Sequence, residues 1–166
     1  MDWWPLVWFH FSIPKQAFVA WLAMRDALST GRKLLCWGFL GDVKCIFCRF
    51  GIEDRDHLFF SCGFSSRIWK HVMELCGVLH PPTCWDDVVS LGLKEWRGKT
   101  MKAYICRLVF GSSIYNIWRT RNALRHGNNP WSEEQLLKQI KWEVKLRFMS
   151  KGKFRKTCGN IILCNA

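Results

Sequence analysis

CIFCRFGIEDRDHLFFSC, residues 45–62, is the stretch on which the reading of this chain turns. Within it Cys45, Cys48, His57 and Cys62 follow the spacing C-x2-C-x8-H-x4-C. Two thiolates two residues apart reach one ion from a tight turn, and Zn2+ takes sulfur and imidazole nitrogen in a tetrahedron. Gly51 and the charged run Glu53, Asp54, Arg55, Asp56 supply a polar return loop, so that His57 and Cys62 close the site from the far side. With all four positions filled by protein, none is left for water, which is the pattern of a structural rather than a catalytic metal. Spacing alone leaves two other readings open. The chain has nine cysteines, free cysteine packs as a small apolar residue, and the eight-residue gap falls outside the commonest finger spacings. A disulfide is the other alternative, disfavoured by the odd cysteine count and the lack of a secretion signal.

Outward from this segment the pattern is helical, and the fold class expected is mainly α: a small helical domain with a CCHC zinc knuckle, then a helical, basic appendage. Upstream, Pro14 suits a first helical position, with Phe18, Trp21 and Leu22 as its apolar face. Thr30 is placed to cap a short helix that Gly38 stops. Leu58-Phe59-Phe60 reads as a short strand or the start of a turn. Downstream, Ser65 is the expected cap of a helix carrying Ile68, Trp69, Val72, Met73 and Cys76, ended by Gly77. Thr83 is the expected cap of a short helix ended by Gly92. The domain boundary is placed there: residues 4–92 form the metal-binding domain and residues 93–166 a basic helical linker region. Thr100 opens a long helix to about Arg125, with Met101, Ile105, Leu108, Ser112, Tyr115, Trp118 and Asn122 on one face and a possible kink at Gly111-Ser112-Ser113. Ser132 and Gln135 form a capping box for a last helix whose face is Leu137, Ile140, Val144 and Phe148.

Charge divides the chain at the same place. Residues 1–93 carry nine basic and nine acidic side chains, whereas residues 94–166 carry sixteen basic and four acidic ones, and so hold the whole net charge of +12. That asymmetry points to a polyanionic partner, nucleic acid (RNA or DNA), for the second half. The expected contacts are Arg119, Arg121, Arg125, Lys151, Lys153, Arg155 and Lys156, with Lys44 and Arg49 beside the metal, and Phe47 and Phe154 as stacking platforms. The apolar N-terminus lacks a basic leader and a small-residue cleavage site, and no apolar run is long enough to span a bilayer. The expected setting is intracellular, nuclear or cytoplasmic, not secreted and without a membrane partner.

The ordered string Trp8, Ile13-Pro14-Lys15, Phe18, Trp21, Leu28-Ser29-Thr30, Leu34, Cys45, Cys48, Glu53, His57-Leu58-Phe59-Phe60, Cys62, Ser65, Ile68, Trp69 resembles the zinc-binding domain that follows the reverse transcriptase in plant LINE-type (non-LTR) retrotransposon polyproteins. The resemblance covers roughly residues 4–78. It implies Zn2+ at Cys45, Cys48, His57 and Cys62. Ile117-Trp118-Arg119-x-Arg121-Asn122 is similar to a shorter marker of the helical linker that precedes a ribonuclease H domain in such polyproteins. Reverse transcriptase and ribonuclease H domains of the same element are therefore expected partners. Neither domain flanks residues 1–166, so a truncated fragment is expected.

No enzyme is expected. Polymerase and ribonuclease H chemistry needs converging carboxylates on two metals. Asp86-Asp87 sits where an acidic first turn complements a helix dipole, as do Glu133 and Glu134, and no phosphate-cradling glycine loop occurs. The function expected is a zinc-binding, nucleic-acid-binding accessory module. The alternative is a zinc-stabilised spacer or protein-interaction module.

Overall fold

Proline begins the helical part of the chain. Pro5 lies in the first turn of α1 (Trp4–Val7) and Pro14 opens α2 (Pro14–Met24), where a missing N–H leaves nothing unsatisfied. The computed structural model describes residues 2–150. After α2 come α3 (Gly31–Cys36), a π-helical turn (His57–Ser61), α4 (Gly63–Leu75), α5 (Trp85–Glu95), α6 (Met101–Arg125) and α7 (Glu133–Met149). Among the described residues there is no strand, only an isolated bridge between Lys44 and Ile52.

Several helix ends follow the sequence. Thr100 Oγ1 accepts from Ala103 N at 3.2 Å, and Ser132 and Gln135 form the reciprocal capping box. Others do not. Cys62, not Ser65, is the residue before α4, and Ser65 is buried in its first turn. Cys84, not Thr83, precedes α5, its thiol donating to Asp87 Oδ2 at 2.9 Å. Gly92 does not end α5 but lies inside it; a Cβ there would come within 2.9 Å of Trp96 and 3.0 Å of Leu6. Of the two readings of Leu58-Phe59-Phe60, the strand is absent and the turn is present, as the buried centre of the π turn.

The core explains two further differences. The inward face of α2 is Gln16, Ala17, Ala20, Ala23 and Met24, while Phe18 is exposed and Trp21 half-buried. Small residues let α2 lie close along α6, its main partner. In turn α6 is buried on nearly every side from Ile105 to Ile117, so its true pattern is that of a central helix rather than a one-sided stripe. Residues from α1, α2, α4, α5, α6 and α7 share one apolar core, with Trp69, Trp96, Phe59, Phe60 and Phe110 among its largest members. The expected boundary at 92/93 falls within α5.

Polar side chains cross this core as paired groups. Ser112, expected at a kink, accompanies an unbroken helix. Its hydroxyl donates to Glu143 Oε2 at 2.6 Å, and that oxygen also accepts from Asn116 Nδ2 and Gln16 Nε2, both at 2.7 Å. This buried cluster ties α2, α6 and α7 together, and buried polar groups persist only when paired in this way. Arg107 lies over the Phe9 and Tyr104 rings and donates to the carbonyls of Pro5 and Gly98. Arg147 of α7 donates to the carbonyls of Phe11 and Ser12, both at 2.8 Å.

Candidate metal centre

The Lys44–Ile52 bridge closes a tight loop that presents the first two ligands. Cys45 N donates to Gly51 O and Arg49 N to Cys45 O. Arg49 and Gly51 hold φ of 63° and 62°, the left-handed region that turns the chain sharply enough to aim both sulfurs inward. Glycine takes this without strain; at Arg49 the Cβ meets its own carbonyl and the conformation is held by the loop.

His57 and Cys62 come from the π turn. In an α-helix, residues five apart point about 140° away from each other. The i→i+5 bond of a π turn, here Cys62 N to His57 O at 2.8 Å, rotates such a pair back toward one face. The H-x4-C spacing thus requires the wider turn. Asp54 holds its start, with Oδ1 accepting from His57 N at 2.8 Å.

The four ligand atoms converge, all lying within 4.8 Å of one another. Cys45 Sγ and Cys62 Sγ are 3.7 Å apart, and Cys48 Sγ lies 3.2 Å from His57 Nε2. Tetrahedral Zn2+ with Zn–S bonds of about 2.3 Å separates its sulfurs by about 3.8 Å. All three cysteines stand as free thiols, with no sulfur–sulfur bond among them. Cys45 and Cys62 are fully buried, Cys48 and His57 partly so. A hydrogen bond to Cys62, reinforced by burial, pushes the Cys45 thiol up, and the same bond pulls the Cys62 thiol down. Two thiolates held this close repel each other. A dication removes that conflict, because bound thiols ionise outright. The donor set and its spacing fit Zn2+.

Residues 1–69 match a family model described as zinc-binding in reverse transcriptase. The match takes in all four ligands and stops inside α4. No curated protein and no solved structure matches the chain. The four converging side chains thus lie inside the segment that is similar to that family.

One part of the centre was not singled out by sequence reasoning. Glu53, read as part of a polar return loop, has no exposed surface. Its backbone bonds Val43 and Arg32, and its Oε1 accepts from Gly31 N at 3.2 Å. The same oxygen accepts from Arg121 Nη2 at 2.6 Å and Nε at 3.0 Å, with Arg125 at 3.6 Å. A Cβ on Gly31 would lie 2.1 Å from Val43 O, so only glycine permits this approach. Glu53 stands in the first resemblance string and Arg121 in the second marker; nothing in the sequence says that the two meet. Two further residues of the marker serve the same contact: Trp118 lies 4.7 Å beneath the Arg121 guanidinium and Asn122 Oδ1 accepts from it.

Arg125 also donates to the carbonyls of Asp42 and Lys44, and Arg119 lies 4.0 Å over the Trp131 ring. Lys44 and Arg49 are exposed beside the metal ligands. Phe47 stacks on Phe64 at 4.4 Å. Lys151, Lys153, Phe154, Arg155 and Lys156 lie outside the described residues. Arg55, also read as loop, sits 4.4 Å over Trp85. Exposed Cys36 is not part of the cluster. Among the described residues no helix is long and apolar enough to cross a membrane.

Proposed function

We propose that this chain is a zinc-stabilised, non-catalytic accessory module of a retroelement polyprotein that holds nucleic acid by its phosphates. The observation that carries the reading is the convergence of Cys45, Cys48, His57 and Cys62 within 4.8 Å, inside the segment that matches the reverse-transcriptase zinc-binding family. Those residues would hold the ion. Bound, it would supply charge neutralisation and a fixed crosslink between the 45–52 loop and the start of α4. The net charge of +12 supplies the attraction to a polyanion. The proposed contacts are the exposed Lys44 and Arg49, the Arg119 guanidinium, and Lys151, Lys153, Arg155 and Lys156. A plant LINE-type origin, with residues 93–166 leading toward a ribonuclease H domain, is proposed from Ile117-Trp118-Arg119-x-Arg121-Asn122.

Two measurements test this. Elemental analysis should find one zinc per chain in the parent and none in Cys45→Ser; equal zinc in both overturns the site. Filter binding to RNA and DNA should weaken steeply with salt, by a log–log slope near about −0.9 per duplex phosphate neutralised. Absence of binding at low ionic strength removes the nucleic-acid half.

A second reading, a protein-interaction module, is favoured by one observation. Trp37, Phe39 and Leu40, neighbours in the chain, are 64%, 45% and 99% exposed, and apolar side chains gathered in solvent mark interfaces. Capture of a reverse transcriptase or ribonuclease H fragment, with no capture of nucleic acid, would select it.

A further inference from the structure

We infer that the outer face of α7 is a track for single-stranded nucleic acid, with a base stacked on Trp142. This rests on the nucleic-acid reading above and assigns it a place apart from the metal loop. Lys138, Lys141, Trp142 and Lys145 follow the spacing i, i+3, i+4, i+7, which puts them on one helix face. They line a single open groove of about 850 Å³ with Trp131 and Gln135. Trp142 is 56% exposed there, although α7 buries Leu136, Ile140, Val144 and Phe148 on its other side. An exposed indole offers a large flat ring on which a base can stack.

The surroundings say what covers it. No carboxylate lines the groove. Glu134 pairs with Lys138 at 2.7 Å, but both side chains are about three-quarters exposed, and such a pair yields readily to a stronger anion. Arg119, stacked on Trp131, adds a further cation at the groove's edge. Lys138 and Lys145 stand about 10 Å apart along the helix axis, a span that reaches successive phosphates on either side of a stacked base. An aromatic ring between cations is the arrangement that binds single strands without regard to sequence. Duplexes hide their base faces, so the indole has no partner there.

The test uses the full, zinc-loaded chain and fluorescence anisotropy with short labelled oligothymidine and oligouridine. At low ionic strength Trp142→Ala should weaken binding about tenfold, and Trp142→Phe should retain most of the affinity. Replacing Lys138, Lys141 and Lys145 by alanine should flatten the log–log salt dependence by about two, at roughly 0.7 per single-strand phosphate. Alanine at the exposed Lys70, Lys94 and Lys99 removes equal charge elsewhere and should change the slope far less. Near-UV circular dichroism checks that each variant is folded. If the parent binds but Trp142→Ala binds as tightly, the α7 track is wrong and the broader reading stands. The track is equally wrong if Lys44→Ala with Arg49→Ala abolishes binding while the α7 variants do not. Failure of the parent to bind either oligonucleotide overturns both readings. If the α7 variants lose binding to phosphatidylserine vesicles and keep it for oligonucleotides, the face is a membrane-surface helix instead.

Discussion

Arg121→Ala should be among the most destabilising single changes in this chain. The guanidinium and Glu53 are 5% and 0% exposed as side chains, so the pair sits out of water. Removing one partner leaves the carboxylate buried and uncompensated, which costs about 3–5 kcal/mol in comparable pairs. Arg125 cannot take over. It stands at 3.6 Å and already donates to Asp42 O and Lys44 O. The variant also drops the bond to Ser29 O and the stack on Trp118. Domains of this size hold together by about 5–15 kcal/mol in total, and each kcal/mol moves the midpoint by about 2–4 °C. The zinc-loaded variant should therefore melt roughly 10 °C or more below the parent by circular dichroism. Arg121→Lys should recover only a minor part, because an ammonium cannot reproduce the fork. A midpoint within about 2 °C of the parent would mean that water reaches Glu53 and that the clasp between the metal loop and α6 is not closed.

Gly31→Ala should be harder to accommodate than Gly51→Ala. The first puts a Cβ 2.1 Å from a backbone carbonyl, whereas the second meets nothing within 4 Å and bears only the strain of φ 62°. Losses of about 1–3 kcal/mol or more against about 1 kcal/mol are expected from urea melts; the reverse order would refute the close packing of α3 on residue 43. Arg67 holds the Glu133 carboxyl below the usual carboxylate range by hydrogen bonds at 2.9 and 3.1 Å. A depressed folded value gives stability that is present above the ordinary carboxylate range and is lost as pH falls through the folded value. With Arg67 63% and Glu133 34% exposed, Arg67→Ala should lower the midpoint at neutral pH by no more than about 2 °C. That difference should vanish in about 1 M salt; its survival there would assign it to packing.

The cluster that fits Zn2+ was legible because zinc chemistry confines residue type and spacing together. The helices were legible wherever a side chain closes its own turn, as at Thr100, Ser132 and Gln135. What remained hidden depends on partners distant in sequence. Glu53 stands among Asp54, Arg55 and Asp56 and looks equally solvated; only the arrival of Arg121, from 68 positions away, makes it buried. The inward face of α2 escaped notice because alanines carry little hydrophobic weight, yet it is their smallness that lets α6 approach. The burial of α6 on nearly every side masks a one-sided period. Ser112 looked like a weak point in a helix because its acceptor, Glu143, lies on another one.

The family match stops at residue 69, but the molecule offers no seam there. Trp69 is fully buried and faces Phe110 of α6 at 6.3 Å between ring centroids. The alanine side of α2 likewise rests on α6. Cutting the chain after residue 69 would therefore bare a strip of aromatic and aliphatic surface along its whole inner side, and would strand Glu53 without its arginine. The unit that carries the zinc signature and the unit able to stand alone in water are different lengths of the same polypeptide. Shortening the protein to the signature should produce aggregates even when zinc is abundant.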